Sequence, residues 1–497
     1  MKQSRIFIAT AALAAVAAGG GLAAYRGASP DAARRPASAA PAILTVPADA
    51  GRPGGPLQGQ AEAIVGGAAA EWTVMAWSVD RRQTLFAINA DQAKIPASNN
   101  KVYSSIWALD VLGPDYRFPT DLLVTGPVQG GVLRGDVVLR GSGDPAFGYA
   151  EYDQDPMKPL RAMARALKAK GVRVVEGGVV GDATIGGDQN FGPEWPKDTG
   201  NGVSRYAPTS SGLPFQRNML WVSFKPDRSG VETRPLVPEI PVMWQSKGGR
   251  AYATRKPESD TVIVRGLDLR KGSRYEVGVA EPALLAPAAL RQALREEGIE
   301  VRQPVREGKT PAGAKLVHRH YSITLAEMVP QLNRHSDNFF AEHFWKAAVA
   351  KSTGQGSYAR GGPASANFFH EKAGVEWGQL WQADGSGLSA QNRTSAHAMI
   401  GALFYAHQRP WSGVFHESLA VAGDRDGTMA RMFVGMPAAG KLHAKTGYIR
   451  GVRSLSGFVR TAGGELVAFS FIYNGRNTSG SRGVQQNLGN LLATYSR

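Results

Sequence analysis

The sequence predicts an α+β protein: a body of antiparallel strands and helices interrupted by a large, mainly β insertion. Three observations carry that reading. Strand-like alternation occurs at both ends of the chain, and helical periodicity flanks it on the inner side. The stretch between, residues 121–319, is dominated by short strand-like runs. A length of 497 residues favours two or three domains. Hydrophobic residues at 43% and charged residues at 20% allow a sizeable core and exclude a disordered chain, while 60 Gly and 30 Pro fit a turn-rich, β-rich content.

The N-terminus speaks to compartment. Lys2 and Arg5 precede an apolar run from Ile6 to Ala24, rich in Ala and interrupted by Gly19, Gly20 and Gly21. It reads as a secretory signal, with small residues at Leu22-Ala23-Ala24 for cleavage, and is nearly long enough to serve as an uncleaved anchor. Residues 1–28 are therefore expected to be a signal peptide or anchor, and the Ala/Pro/Gly-rich residues 29–55 a linker. No later segment is apolar enough to span a bilayer. The protein is expected to be exported, to the periplasm or cell envelope. Cysteine is absent, which excludes disulfides, thiolate nucleophiles and Cys-based zinc sites. The net charge of +16 suits anionic surroundings such as wall polymers, and leaves room for peripheral association with a membrane surface. No Lys/Arg run exceeds two residues, so the charge is spread rather than gathered into an arm, which argues against nucleic acid as a partner.

In chain order, residues 56–120 form the first part of the body. Strand-like runs at Trp72–Val79 and Thr84–Asn89 flank a hairpin turn at Asp80-Arg81-Arg82. Val102, Ile106 and Leu109 then share a helical face, ended by Gly113-Pro114. The insertion, 121–319, shows alternation at Val132–Arg140, Val172–Val180, Leu220–Phe224, Thr261–Val264 and Tyr275–Val279, with helical stretches near 158–170 and 283–297 and a nested subdomain near 184–255. Residues 320–497 form the second part of the body. Leu325, Met328, Val329 and Leu332 share a helical face, a helix is expected from Phe339 to Ala350, and strand-like runs at 440–449, 452–460 and 466–473 precede a helical stretch at 483–494.

Three short motifs carry the chemistry. Ser98-Asn99-Asn100-Lys101 is S-x-x-K at the start of a helix, so Lys101 lies one turn on along the face of Ser98. A buried lysine loses pKa and becomes a base for the hydroxyl, while the helix start offers N–H groups to an oxyanion. The simpler reading is an N-cap serine with a solvated lysine. Ser336-Asp337-Asn338 is S-x-N between two helical stretches; Ser336 could relay a proton and Asn338 could bond Lys101 and a substrate amide, or the triplet could be an Asx-type cap. Lys445-Thr446-Gly447 is K-T-G in a strand. There Gly447 admits a second backbone and Lys445 offers a cation to a carboxylate, unless the triplet merely precedes a turn.

In this order the three motifs resemble the penicilloyl-serine transferase superfamily, which includes penicillin-binding proteins and serine β-lactamases. The gap from Lys101 to Ser336 is too long for a compact β-lactamase. It resembles that of the class C low-molecular-mass penicillin-binding proteins, the DacB-type D-alanyl-D-alanine carboxypeptidase/endopeptidases. So do Leu112–Phe118, Gly141–Pro145, Asp384–Ser389 and Gly423–Thr428. The resemblance covers nearly all of residues 60–497. It implies a β-lactamase/transpeptidase-like domain, an antiparallel sheet flanked by helices plus a helical subdomain. It also implies cleavage of peptidoglycan stem peptides or cross-links through a Ser98 acyl-enzyme, with β-lactams as covalent inhibitors. Lys101 would take the Ser98 proton, and Ser336, Asn338 and Lys445 would complete proton transfer and substrate holding. The N–H groups of Ser98 and Tyr448 would form the oxyanion hole. Thr446, Gly447 and Leu388 would help bind substrate.

The sequence departs from the family pattern at two places. Ala390 stands where the family commonly has Arg after Asp384–Ser389, and Arg450 stands where a small polar residue is familiar. Arg450 is expected to replace the missing cation that reads a stem-peptide carboxylate, with Asp182 reading its amine. No metal or cofactor is expected. His318-Arg319-His320 is explained by strand alternation. Gly435–Lys441 lacks the Ser/Thr of a phosphate-binding loop, and no G-x-S-x-G occurs. The alternatives are a serine β-lactamase, disfavoured because no Glu-x-x-Leu-Asn element follows Asn338, and a non-catalytic peptidoglycan-binding protein.

Overall fold

A six-stranded antiparallel sheet joins the two ends of the chain. Its order is Gln83–Ile88, Trp72–Ser78, Leu466–Asn474, Val452–Arg460, Leu442–Ile449 and Ala420–Val421. The computed structural model describes residues 44–497, apart from 150, 151, 153, 154, 188, 196–205, 239, 247, 257, 258, 260, 269, 271, 272 and 477. The expected signal or anchor and most of the linker lie outside the described residues. Among the described residues, no helix is long and apolar enough to cross a membrane.

Largely apolar runs form the centre of the sheet. Both faces of the central strands are covered, so Trp72–Ser78 and Leu466–Asn474 are buried almost throughout. On one face lies the helical core, in which Val102, Ile106 and Leu109 meet Met328, Val329, Leu332, Phe340 and Phe344. On the other, Leu488 and Leu492 of the Thr478–Thr494 helix and Ala61 and Val65 of Gln58–Val65 pack on Phe469, Phe471 and Leu455. The motif-bearing helices, Asn100–Leu112 and Asn338–Thr353, thus stand side by side against one sheet face.

Between Pro119 and Tyr321 the chain builds a different assembly. A five-stranded mixed sheet runs Arg306–Glu307, Val179–Asp182, Val137–Arg140, Pro119–Val124 and Lys315–Tyr321, beside a four-stranded and two three-stranded sheets. A separate hydrophobic cluster, drawn entirely from residues 122–305, fills it. The helices Lys158–Ala169 and Leu285–Glu296 fall where the periodicity puts them. Two of the expected strands divide. Val132–Arg140 breaks into Val132–Leu133 and Val137–Arg140, and Val172–Val180 into Val174–Val175 and Val179–Asp182. Gly135 and Gly177 sit at the two breaks, where Gly177 N–H donates to the Gly135 carbonyl at 3.0 Å and the paired chains cross together from one sheet to the next.

Candidate active site

Ser98 sits on a short 3-10 turn, Ala97–Asn99, that runs directly into the Asn100–Leu112 helix. Ala97 holds φ at +48°, a conformation an L-residue adopts at a cost and one that concentrates at functional sites. The turn projects the Ser98 hydroxyl into a cleft, and the helix brings Lys101 round beneath it. Lys101 Nζ donates to Ser98 Oγ at 3.0 Å, to Asn338 Oδ1 at 2.6 Å and to the Ser386 carbonyl at 2.6 Å. The amine is fully buried, and that burial draws its pKa down to about 8 against the opposing charges of Asp384, Glu342 and Asp337.

The second wall is the start of the Asn338–Thr353 helix. Asp337 caps it, accepting from Phe339 N–H at 2.9 Å and Phe340 N–H at 3.3 Å. Ser336, just before the cap, holds φ at +60° and lines the cleft. The insertion clamps this corner. The Tyr206 carbonyl accepts from Asn338 Nδ2 at 2.6 Å, and Arg217 pairs with Asp337 at 2.6 Å, both side chains about 8% exposed. Arg217→Ala would strand a nearly buried carboxylate at the helix cap. It is expected to cost about 3 kcal/mol of stability and to slow acylation through displaced Asn338. Urea titration and acylation kinetics check both effects.

The third wall is the Leu442–Ile449 strand. Its outer edge pairs only as far as Ala444, so Lys445–Ile449 offer an open edge among the described residues. Lys445 is fully buried and donates to the Thr446 carbonyl at 2.8 Å. Burial, then the charge of Lys101, pushes its pKa far below the lysine range. Thr446 faces the other way, its hydroxyl 2.8 Å from that of Thr428. A Cβ on Gly447 would lie 2.1 Å from Ser454 Oγ and 3.0 Å from Ser98 N, so the strand touches the nucleophile's turn only because residue 447 has no side chain.

Beneath the turn lies the loop 382–392. Its hub is Asp384, fully buried, which accepts from Trp195 Nε1 at 2.8 Å, Gly387 N–H at 2.7 Å, Ser389 N–H at 2.7 Å and Asn392 Nδ2 at 2.9 Å. Glu342 accepts from Ser386 N–H at 2.6 Å, and burial and the charge of Asp384 push its carboxyl up to about 7. These acids orient the peptide whose carbonyl holds Lys101. Asp384→Ala would leave several buried donors without an acceptor. It is expected to cost about 3 kcal/mol or more in thermal or urea unfolding.

Ser98, Ser336, Asn338, Thr446, Gly447 and Tyr448 line one cleft of about 590 Å³. Lys101 and Lys445 lie under its floor. Three expected binding residues are not brought to it. Asp182 is buried at the end of Val179–Asp182. Its oxygens are engaged by Thr184 N–H at 3.1 Å, Thr184 Oγ1 at 2.7 Å and Thr310 N–H at 2.8 Å, so it staples two turns together rather than reading an amine. Arg450 is exposed in the turn after Ile449 and is not among the residues lining the cleft. The strand turns back at Gly451, and the arginine of this hairpin that lines the cleft, with Arg431 and Arg482 from elsewhere, is Arg453, on the return strand opposite Tyr448. Leu388 is half-buried in the 382–392 loop, outside the lining. Sequence reasoning missed Arg453, Arg217, the Tyr206 and Ser386 carbonyls and the roles of Asp384 and Glu342. Carbonyls leave no side-chain signature, and a tertiary ion pair leaves no local one; of these residues Asp384 and Ser386 stand in a recognised stretch. No cluster of His, Asp and Glu able to hold a metal occurs among the described residues.

The arrangement provides a hydroxyl, an adjacent amine of lowered pKa and an open strand edge to seat a peptide. A D-alanyl-D-alanine carboxypeptidase of Actinomadura sp. (strain R39) is 29% identical over 439 residues, covering 83% of this chain and 79% of the relative. The D-alanyl-D-alanine carboxypeptidase DacB of Haemophilus influenzae is 24% identical over 421 residues, covering 81% and 85%. The crystal structure of penicillin binding protein 4 (dacB) from Haemophilus influenzae shares the fold, with a TM-score of 0.72 at 23% identity, covering 88% of this chain and 99% of that one. The model of one family spans residues 60–495, through all three walls of the cleft and the insertion that clamps them, and the chain belongs to that family, the D-Ala-D-Ala carboxypeptidase 3 (S13) family.

Proposed function

We propose that Ser98 is the nucleophile of this serine-type D-Ala-D-Ala carboxypeptidase and that peptidoglycan stem peptides and their cross-links are its substrates. The observation that carries the proposal is the 3.0 Å contact between Lys101 Nζ and Ser98 Oγ, made by an amine whose burial brings its pKa to about 8. Unprotonated Lys101 takes the Ser98 proton as Oγ attacks the carbonyl between two D-residues. The N–H groups of Ser98 and Tyr448 receive the oxyanion. Ser336 passes the proton to the departing amine, Asn338 holds Lys101 and the substrate amide, and Thr446 with Lys445 favours the terminal carboxylate. Water then releases the acyl group from Ser98.

A β-lactam presents the same carbonyl in a strained ring and a carboxylate beside it, so it would acylate Ser98 and remain attached. Substrates of this kind lie in the cell envelope, and residues 1–28 would direct the chain there as a cleaved signal or retained anchor. The test is release of D-alanine from a D-Ala-D-Ala-terminated pentapeptide. The wild type should turn over and Ser98→Ala should fall by about 10⁴-fold or more. Turnover retained by Ser98→Ala would refute the assignment. Many turnovers of a chromogenic cephalosporin, instead of one stoichiometric adduct, would favour a β-lactamase.

A further inference from the structure

Of the ten tryptophans, Trp377 and Trp381 are exposed, at 60% and 43%, and the other eight are buried or half-buried. Tryptophan is ordinarily a largely buried residue, so two exposed rings four positions apart call for a cause. Both rings are held in place. Trp381, on the strand Leu380–Trp381, lies against the helix Tyr358–Ala373. A Cβ on Gly362 of that helix would stand 2.7, 2.8 and 3.1 Å from three atoms of the Trp381 ring, near-equal distances that put the glycine under the ring's face rather than at its edge. Trp377 lies over the ring of His370 on the same helix, with centroids 4.2 Å apart and planes 33° from parallel. His370 is itself pinned, its Nδ1 2.9 Å from the Val375 carbonyl. Each indole thus has one face covered and the other turned outward. Gly362 and His370 are eight positions apart, so the rings sit over points about 12 Å apart along the helix. The surroundings are polar. Arg393 is directly opposite Trp381 across the strand pair, its Nη1 donating to the Ala390 carbonyl at 2.6 Å and the Asn392 carbonyl at 2.8 Å. Asn367 and Glu371, hydrogen-bonded at 2.9 Å, are exposed on the helix beside His370. A protein-docking surface has a contiguous apolar centre. Separate flat rings edged by amide, carboxylate and guanidinium groups suit a pyranose chain instead, whose C–H faces stack on indoles while its hydroxyls and acetamides hydrogen-bond to the rim.

We propose that Trp377 and Trp381 bind a β-linked N-acetylhexosamine chain, one indole at each end of a di- or trisaccharide, at a surface separate from the catalytic cleft. Neither tryptophan lines that cleft, and Trp381 immediately precedes the 382–392 loop whose Ser386 carbonyl holds Lys101. The choice of an N-acetylated sugar rests on the peptidoglycan reading, in which glycan strands lie beside the peptides; the stacking geometry does not. The probe is chitotetraose, which has the sugar and no peptide, and the readout is calorimetry on the full chain. Saturable binding by the wild type is expected, weakened about tenfold or more in Trp377→Ala and in Trp381→Ala, with Trp377→Tyr retaining part of it. Trp377 is exposed, so its alanine variant should unfold at the wild-type temperature, which separates loss of the ring from loss of the fold. No binding by the wild type would overturn the inference and leave the rings to a protein partner. Unchanged binding by Trp377→Ala would also overturn it. Failure of the hydrolase reading would look different: chitotetraose bound through Trp377 by a wild type that releases no D-alanine.

Discussion

Replacing Lys101 with glutamine is expected to slow acylation of Ser98 by about a thousandfold while the protein remains folded. The amine has three acceptors around it, at 3.0, 2.6 and 2.6 Å, and no room for bulk water to substitute. Glutamine keeps a donor for Asn338 and the Ser386 carbonyl but cannot take a proton from Ser98. The pH profile distinguishes loss of a base from loss of packing. Only the neutral amine accepts a proton, and the Lys101 pKa lies at about 8. Wild-type acylation should therefore rise with pH through about 8 and level off above it. The variant's residual rate should lack that limb. Stopped-flow acylation by a reporter β-lactam across the range reads both. A variant that keeps the limb would assign it to another group, and an unchanged rate would remove Lys101 from the chemistry.

Gly387→Ala is expected to damage both stability and reactivity. Gly387 holds φ at +86°, and an added Cβ would lie 1.9 Å from the Ala97 carbonyl oxygen and 2.5 Å from its carbon. The obstacle is backbone on the turn that carries Ser98, which itself holds a left-handed residue, so neither partner can yield cheaply. The loop must move away, and it takes with it the Ser386 carbonyl that anchors Lys101. We expect a loss of about 3 kcal/mol in urea unfolding. Acylation should also fall by about a hundredfold below the unfolding transition, the range for a misplaced catalytic group. Loss of stability with a normal acylation rate would mean that the loop supports the fold but not the alignment of Lys101.

The parts legible in the sequence are those set by local periodicity. The paired strands around Asp80-Arg81-Arg82 and the tail strands follow from alternation, and Lys101 follows from the spacing of one helical turn after Ser98. The convergence of Ser98, Asn338 and Lys445 was readable only as three motifs in order, because it depends on a sheet that closes the two ends of the chain. What stayed hidden depends on contacts between distant segments. The insertion carried no recognisable chemistry, yet the Tyr206 carbonyl and Arg217 hold Asn338 and its helix cap. The sequence points to Arg450 and not to Arg453 because motif spacing places a residue along a strand but does not say where the strand turns; with the turn at Gly451, the later arginine lines the cleft. Asp182 was read as a free carboxylate because its acceptors' partners, Thr184 and Thr310, lie on separate turns, one of them far along the chain.

The most direct test is intact-mass measurement after incubation with benzylpenicillin, followed by mapping of the modified peptide. Addition of one penicilloyl group to the wild type, located at Ser98, with none on Ser98→Ala, is the predicted result. An adduct on another residue, or one that survives Ser98→Ala, would contradict it.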